Sequence, residues 1–237
     1  MKPLKLCLAL FALALLAAGA FAQAPDGKLY APGPFDRLEV DGSAQIRLTQ
    51  GDRDQVFING DASVQKGVEV ELVNNRLYIR PAGSWKFWND TRLQIDVQMR
   101  QLSRLSLSGN GDLYAPGPIK CDQLTISISG AGLARFDDLR ADELKFDISG
   151  AGDGLLAGQV DRLKLSVSGK GKLLASELRA ASATVSISGV GNASLWVTET
   201  LRVSVSGVGH VDYWGQPDVK RSISGVASVT GRGDKQR

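Results

Sequence analysis

The chain has 237 residues, 22% of them charged, and a formal net charge of +3. So small a charge, with no run of like sign, excludes the basic face that a nucleic-acid partner requires. His210 is the one histidine, which excludes a multi-histidine metal centre and any paired-histidine mechanism.

The first element in chain order is an export signal. Lys2 and Lys5 form a charged start, Leu6 to Ala18 is a nearly unbroken apolar run, and Ala20-Phe21-Ala22 is a small-x-small cleavage site. Residues 1–22 are therefore expected to be removed, with Gln23 opening the mature chain. The run is short for a membrane span, and Cys7 lies inside it, not at its end as in a lipoprotein. Cleavage takes two lysines and no acid, which lowers the net charge to +1. About 215 residues remain, enough for one domain with a sizeable core. The expected location is the periplasm or the cell exterior, with no membrane span left after cleavage. Cys121 is then the sole cysteine, and burial as a small apolar residue is its default.

Residues 23–104 hold short alternating stretches: Leu38-Glu39-Val40-Asp41-Gly42, Val56-Phe57-Ile58-Asn59-Gly60, Leu77-Tyr78-Ile79 and Leu93-Gln94-Ile95-Asp96-Val97. Among them sits an insertion, Gly83 to Asp90, carrying Trp85, Phe87 and Trp88. The meaning of these stretches comes from residues 105–230, where one phrase recurs: apolar, Ser, apolar, Ser, Gly, x, Gly. It runs as Leu105 to Gly111, Ile126 to Gly132, Phe146 to Gly152, Leu165 to Gly171, Val185 to Gly191 and Val203 to Gly209, with Ile223-Ser224-Gly225 as a worn last copy. The anchoring glycines 109, 130, 150, 169, 189, 207 and 225 are spaced 21, 20, 19, 20, 18 and 18 apart.

The period within each phrase is two. Side chains two and four residues before each anchoring glycine are Leu, Ile, Val or Phe in almost every copy, and the serines fall between them. Each phrase is thus a strand with one apolar and one polar face. A second strand follows, with apolar residues four and six positions after the glycine, such as Leu113 and Ala115 or Ala193 and Leu195. The paired glycines suit a sharp corner with positive φ. Asp122, Asp142, Asp161 and Glu199 suit the next corner.

A unit of 18–21 residues with short strands and tight corners cannot bury its own apolar face, but stacked copies form a continuous core. The expected fold is all-β: a single-stranded, right-handed parallel β-helix, the hand following the usual crossover rule. The upstream stretches are expected to be degenerate coils of the same solenoid. The tail, residues 231–237, is polar and expected to lack structure. The competing architecture is an antiparallel sandwich or barrel, which would not need the same serine and glycine phrase in every unit.

These coils, and most clearly Ile126-Ser127-Ile128-Ser129-Gly130-Ala131-Gly132 and Phe146-Asp147-Ile148-Ser149-Gly150-Ala151-Gly152, resemble the GIN-domain family. Its members are bacterial proteins described as auto-transporter adhesin head domains. The likeness spans about Phe35 to Gly225. It implies a β-helical domain in an exported or cell-envelope setting, and it carries no catalytic residue over to this chain.

The candidate contact residues are aromatic. Trp196 and Trp214 each lie seven residues after their glycine in consecutive coils. They should therefore stack, outward, as a platform for a sugar or as a lid on the last coils. Trp85 and Trp88 in the insertion pose the same choice. The serine ladders read either as a hydroxyl-rich binding face or as ordinary cross-strand pairs on a solvated sheet. Their small side chains also leave room for a second subunit, as in a homo-oligomer. Asp112, Asp137, Asp138, Asp147 and Asp153 do not form one obvious acid pair. No Gly-x-Ser-x-Gly marks a nucleophile, no catalytic residue, metal or cofactor is indicated, and Arg232-Gly233-Asp234 is a chance match. The expected function is a non-enzymatic binding or structural module of the cell envelope, adhesin-like, with carbohydrate or an envelope component as partner. The alternative is a carbohydrate-active enzyme on the same scaffold.

Overall fold

Strict alternation buries every second side chain and leaves the others in water. In the computed structural model, which describes residues 26–83 and 93–235, that alternation builds five long strands: β7 (Arg104–Ile128), β8 (Leu133–Ile148), β9 (Ala151–Val167), β10 (Lys170–Ile187) and β11 (Val190–Val205). Each runs round most of one coil and pairs in parallel with the next, so the fold is a parallel β-solenoid. The last full coil is split into β12 (Val208–Trp214) and β13 (Asp218–Ile223), both on β11, and β14 (Val226–Gly231) lies on β12.

The register places like on like. Ile128, Ile148, Val167, Ile187, Val205 and Ile223 form one ladder. Leu124, Leu144, Leu163, Ala183, Leu201 and Val219 form another. All but the terminal Ile223 and Val219 are buried, and no polar or charged residue is buried among those described. Uneven coil length is absorbed mainly at one corner, where the register slips between Ala115 and Pro118, Phe136 and Leu139, and Ala175 and Arg179, with a further slip between Ala180 and Ser182. At the Ala175–Arg179 slip Ser176, Glu177 and Leu178 have no partners on β11, which shortens the following coils.

The glycine column corrects one expectation. A positive φ occurs at Gly109 but not at Gly130, Gly150, Gly169, Gly189, Gly207 or Gly225. Side chains are excluded there for another reason. A Cβ at Gly130, Gly169 or Gly207 would lie 1.8, 2.0 and 2.0 Å from the carbonyl oxygen of the glycine one coil below. Along the column the space a Cβ would take is filled by the main chain of the coil below.

The N-terminal strands do not follow chain order in space. β2 (Arg37–Gln50) pairs in parallel with β7 on one side, and with β5 (Arg76–Pro81) and β6 (Leu93–Met99) on the other. The coil below β2 is therefore made by strands that come after it in the chain. Val56 to Gly60 is not a parallel coil: β3 (Gln55–Asn59) runs antiparallel to β6, and β1 (Gly27–Tyr30) antiparallel to β3. β4 (Val68–Val73) forms a hairpin with β5 through Asn74 and Asn75, both at positive φ, the backbone that a two-residue hairpin turn demands. A one-turn helix, α1 (Ala62–Lys66), is capped by the Asp61 carboxylate, which accepts from the Ser63 and Val64 amides. Antiparallel strands thus close this end of the parallel stack.

The other end is guarded differently. Arg221 occupies the ladder position of Val203, and with Lys220 it puts charge on a strand that has no outer partner among the described residues. Charged side chains, one of them at an inward position, discourage edge-to-edge pairing. Residues 231–235 of the tail make defined contacts. The Gly215 amide donates to the Gly233 carbonyl (2.9 Å) and the Arg232 amide to the Tyr213 carbonyl (2.8 Å). Arg232 also grips Asp212 through two hydrogen bonds, 2.9 and 3.2 Å. These bonds commit both ends of the Arg-Gly-Asp triplet, since Asp234 accepts from Gln216 at 3.0 Å.

Candidate functional site

Outward positions on the solenoid also stack, and their identities decide what each face can do. The serine column is exposed at Ser129, Ser149, Ser168, Ser188 and Ser206. Ser129, Ser168 and Ser188 reach back to carbonyls of the preceding coil at 3.4–3.5 Å. This is the cross-rung bonding of a solvated sheet, with no convergence on a common point.

Trp196 and Trp214 are direct register partners and half-buried. The sequence offset therefore located them correctly relative to each other. The tail covers part of the pair: the Lys235 ammonium stands 5.6 Å from the Trp196 ring centroid, held by the Glu177 carboxylate and the Ser176 carbonyl. Removing residues 232–237 is expected to expose Trp196, seen as increased acrylamide quenching of tryptophan fluorescence. Unchanged quenching would mean that the tail shields nothing. Trp85 and Trp88 lie outside the described residues.

A grouping that sequence reasoning missed lies on the last coils. Ser228 sits against Nδ1 of His210, and Nε2 of His210 lies 3.1 Å from Asp212. Serine, histidine and acid are thus in line, as in a hydrolytic triad. Asp212, however, is already held by Arg232, whose hydrogen bonds lower its pKa. The group lies on the outer strand face and reads as a link between β12 and β14. The aspartates singled out in the sequence are similarly committed: Asp138 to Arg140 at 3.2 Å and Asp147 to Lys145 at 3.0 Å. Asp153 accepts from the Lys172 amide at 2.9 Å. Among the described residues no group of three His, Cys, Asp or Glu side chains could hold a metal ion.

Cys121 is half-buried beside a groove that also holds Asp122, Asp142 and Asp161. Burial first, then the charges of Asp122 and Asp142, push its thiol pKa up to about 11. At pH 8 the thiolate fraction is then about 10⁻³, some two orders of magnitude below an ordinary cysteine. Alkylation by iodoacetamide is expected to be slow by that factor and to accelerate as pH rises toward 11. Rapid labelling at pH 8 would contradict this environment.

The side chains that do converge lie where the N-terminal strands meet the first coils. A cleft of about 500 Å³ crosses β6, β2, β7 and β8. Its floor includes Ile46, Ile95 and Leu113. Its outward side chains form two rows set by register: Gln94, Gln45, Asp112 and Leu133, then Asp96, Arg47, Tyr114 and Arg135. Tyr114 is 39% exposed. Its hydroxyl donates to Asp137 at 2.8 Å, and Arg135 binds the other oxygen of Asp137 at 2.8 Å while lying 5.0 Å from the Tyr114 ring centroid. Asp137 therefore orients both the ring and the guanidinium. Its own pKa is lowered, chiefly by the Arg135 hydrogen bond, and that of Tyr114 is raised, chiefly by the bond to Asp137. Arg47 makes no ion pair among the described residues, and Asp96 accepts from Asn59 at 3.2 Å.

A signal for this row exists in the sequence. Arg47, Tyr114 and Arg135 each lie five residues after a glycine of the column, Gly42, Gly109 and Gly130. The contribution of β6 had no such signal, because its place below β2 is set by tertiary pairing.

The comparisons agree with this architecture. No curated protein sequence matches the chain. The crystal structure of a putative adhesin from Bacteroides fragilis superposes with a TM-score of 0.81 at 24% identity, over 89% of this chain and 98% of that one. A putative adhesin from Parabacteroides distasonis gives 0.70 at 21% identity, over 88% and 97%. A putative lipid binding protein from the same organism gives 0.69 at 20%, over 89% and 97%. Likeness at such identities establishes a shared fold. The family assignment comes from the sequence itself: residues 34–217 match the model described as putative auto-transporter adhesin, head GIN domain, and the chain belongs to that family.

Proposed function

We propose that the protein is a non-enzymatic, exported binding module of the bacterial cell envelope, adhesin-like, with the Tyr114 cleft as its contact site. The observation that carries this reading is the cleft itself. Its volume lies in the range of small-ligand sites, ~300–1,000 Å³, and its ring and guanidinium are held in place by Asp137 before any ligand arrives. The export-signal pattern of residues 1–22 and the family membership support the envelope setting.

The enzymatic alternative would need two carboxyl groups aimed at one bond. Asp96 and Asp112 both border the cleft, and the Asp96 carboxylate accepts a hydrogen bond from Asn59, which lines the same cleft. Trp196 and Trp214 remain a second proposed contact, reached when the tail lifts, and Trp85 and Trp88, outside the described residues, a separate one.

The test measures retention and turnover together. Purified protein is expected to be retained on immobilised bacterial envelope fractions and to release no reducing ends from envelope or plant polysaccharides. Tyr114→Ala should lose retention while keeping its unfolding temperature. Turnover abolished by Asp112→Asn would replace this reading with the enzymatic one.

A further inference from the structure

From the chemistry of the same cleft we infer that its ligand is a neutral oligosaccharide; this rests on the reading of the cleft as the contact site. The lining mixes donors and acceptors. The side-chain amides of Gln45 and Gln94 make no hydrogen bond among the described residues, and Arg47 has no ion pair there. Arg135 spends its Nε on Asp137 and keeps its terminal nitrogens for a ligand. Interleaved with these donors is the carboxylate of Asp96.

A sugar hydroxyl donates one hydrogen bond and accepts others. Vicinal hydroxyls are therefore met best by a carboxylate beside an amide or guanidinium, and bonds to charged groups are the stronger ones. The register supplies that alternation. Arg47 lies between Asp96 and Tyr114, and Gln45 between Gln94 and Asp112. An anionic ligand would gain from Arg47 but meet Asp96, its register partner, in the same cleft, with Asp137 hydrogen-bonded to Tyr114. A purely apolar ligand would leave these polar groups desolvated and unpaired. The exposed part of the Tyr114 ring offers the flat apolar surface on which a sugar ring packs. The four strands β6, β2, β7 and β8 span about 14 Å at ~4.8 Å per strand, room for a short oligomer.

The experiment is calorimetric titration of the full protein with cellohexaose, maltohexaose, mannohexaose and chitohexaose, with oligogalacturonate as the acidic arm. At least one neutral oligomer is expected to bind with little salt dependence. Tyr114→Ala and Arg47→Ala should each weaken it tenfold or more, with unchanged unfolding temperatures. Trp196→Ala should leave this affinity unaltered, which separates the cleft from the tryptophan pair. Binding confined to oligogalacturonate, falling steeply with salt, would overturn the neutral class while leaving the cleft as the contact site. No binding to any of these oligomers, with retention on envelope fractions still abolished by Tyr114→Ala, would also overturn the neutral glycan and preserve the module. Neutral-sugar binding that survives both cleft substitutions would overturn the site itself.

Discussion

Ile148→Asp is expected to prevent the regular coils from folding at neutral pH. Ile148 is 1% exposed and sits in mid-ladder between Ile128 and Val167. The substitution removes a buried aliphatic side chain, a loss of about 2–5 kcal/mol for truncations of that kind. It also places a carboxylate where no polar partner lies nearby, and burying an unpaired charge costs several kcal/mol more. The sum rivals the whole stability of an ordinary domain, about 5–15 kcal/mol. The buried acid would have a raised pKa. Any folded form should therefore gain stability below the ordinary aspartate pKa and lose it as pH rises, so partial rescue in acid is expected. Ser149→Thr, one residue along and exposed, should stay within about 0.5 kcal/mol of the parent. Circular dichroism with thermal and urea unfolding of the two variants checks this. Equal damage from both would mean that the inward and outward faces are reversed.

Gly169→Ala is expected to have the second largest effect, through the backbone and not the core. A Cβ there would lie 2.0 Å from the Gly150 carbonyl oxygen and 2.6 Å from that of Ser149. Both obstacles are main chain, so no rotamer change relieves them, and the two coils must separate along their hydrogen-bonded edge. Overpacking of this kind costs about 3 kcal/mol or more. In a chain of this length that lowers the unfolding temperature by about 6–12 °C. Gly117→Ala is the matched control. Gly117 has an ordinary φ and nothing within 4 Å of the position a Cβ would take, so its substitution should be neutral. If Gly169→Ala melted with the parent protein, the close approach of the glycine column would not be what selects glycine there.

The two cases also show how far local sequence can be read. The inner ladders were legible because alternation has a period of two and the phrase repeats. Ile128, Ile148 and Val167 occupy the same place in successive phrases, and in a parallel stack the same place means contact. The same arithmetic places Trp196 on Trp214, and it places Arg47, Tyr114 and Arg135, which share one offset, in one row. The glycine column was legible as a column but not for its reason. A local rule, positive φ, suggests itself when one copy is read alone, whereas the constraint lies between copies, in the carbonyl of the coil below.

Sequence by itself therefore determined the solenoid, its coil length, its core and its outward rows, because each follows from repetition and side-chain alternation. Tertiary structure alone decided the ends and the site. β5 and β6 follow β2 in the chain, yet they stack on the side of β2 opposite β7. Weak, glycine-poor strands carry no register mark, and the free edge they can satisfy decides where they pair. That choice brings Gln94 and Asp96 beside Gln45 and Arg47 and completes the cleft. The tail is a parallel case. Its polar composition gives no sign of order, and it is held because Asp212, Glu177 and the edge of β12 present partners that only the folded solenoid assembles.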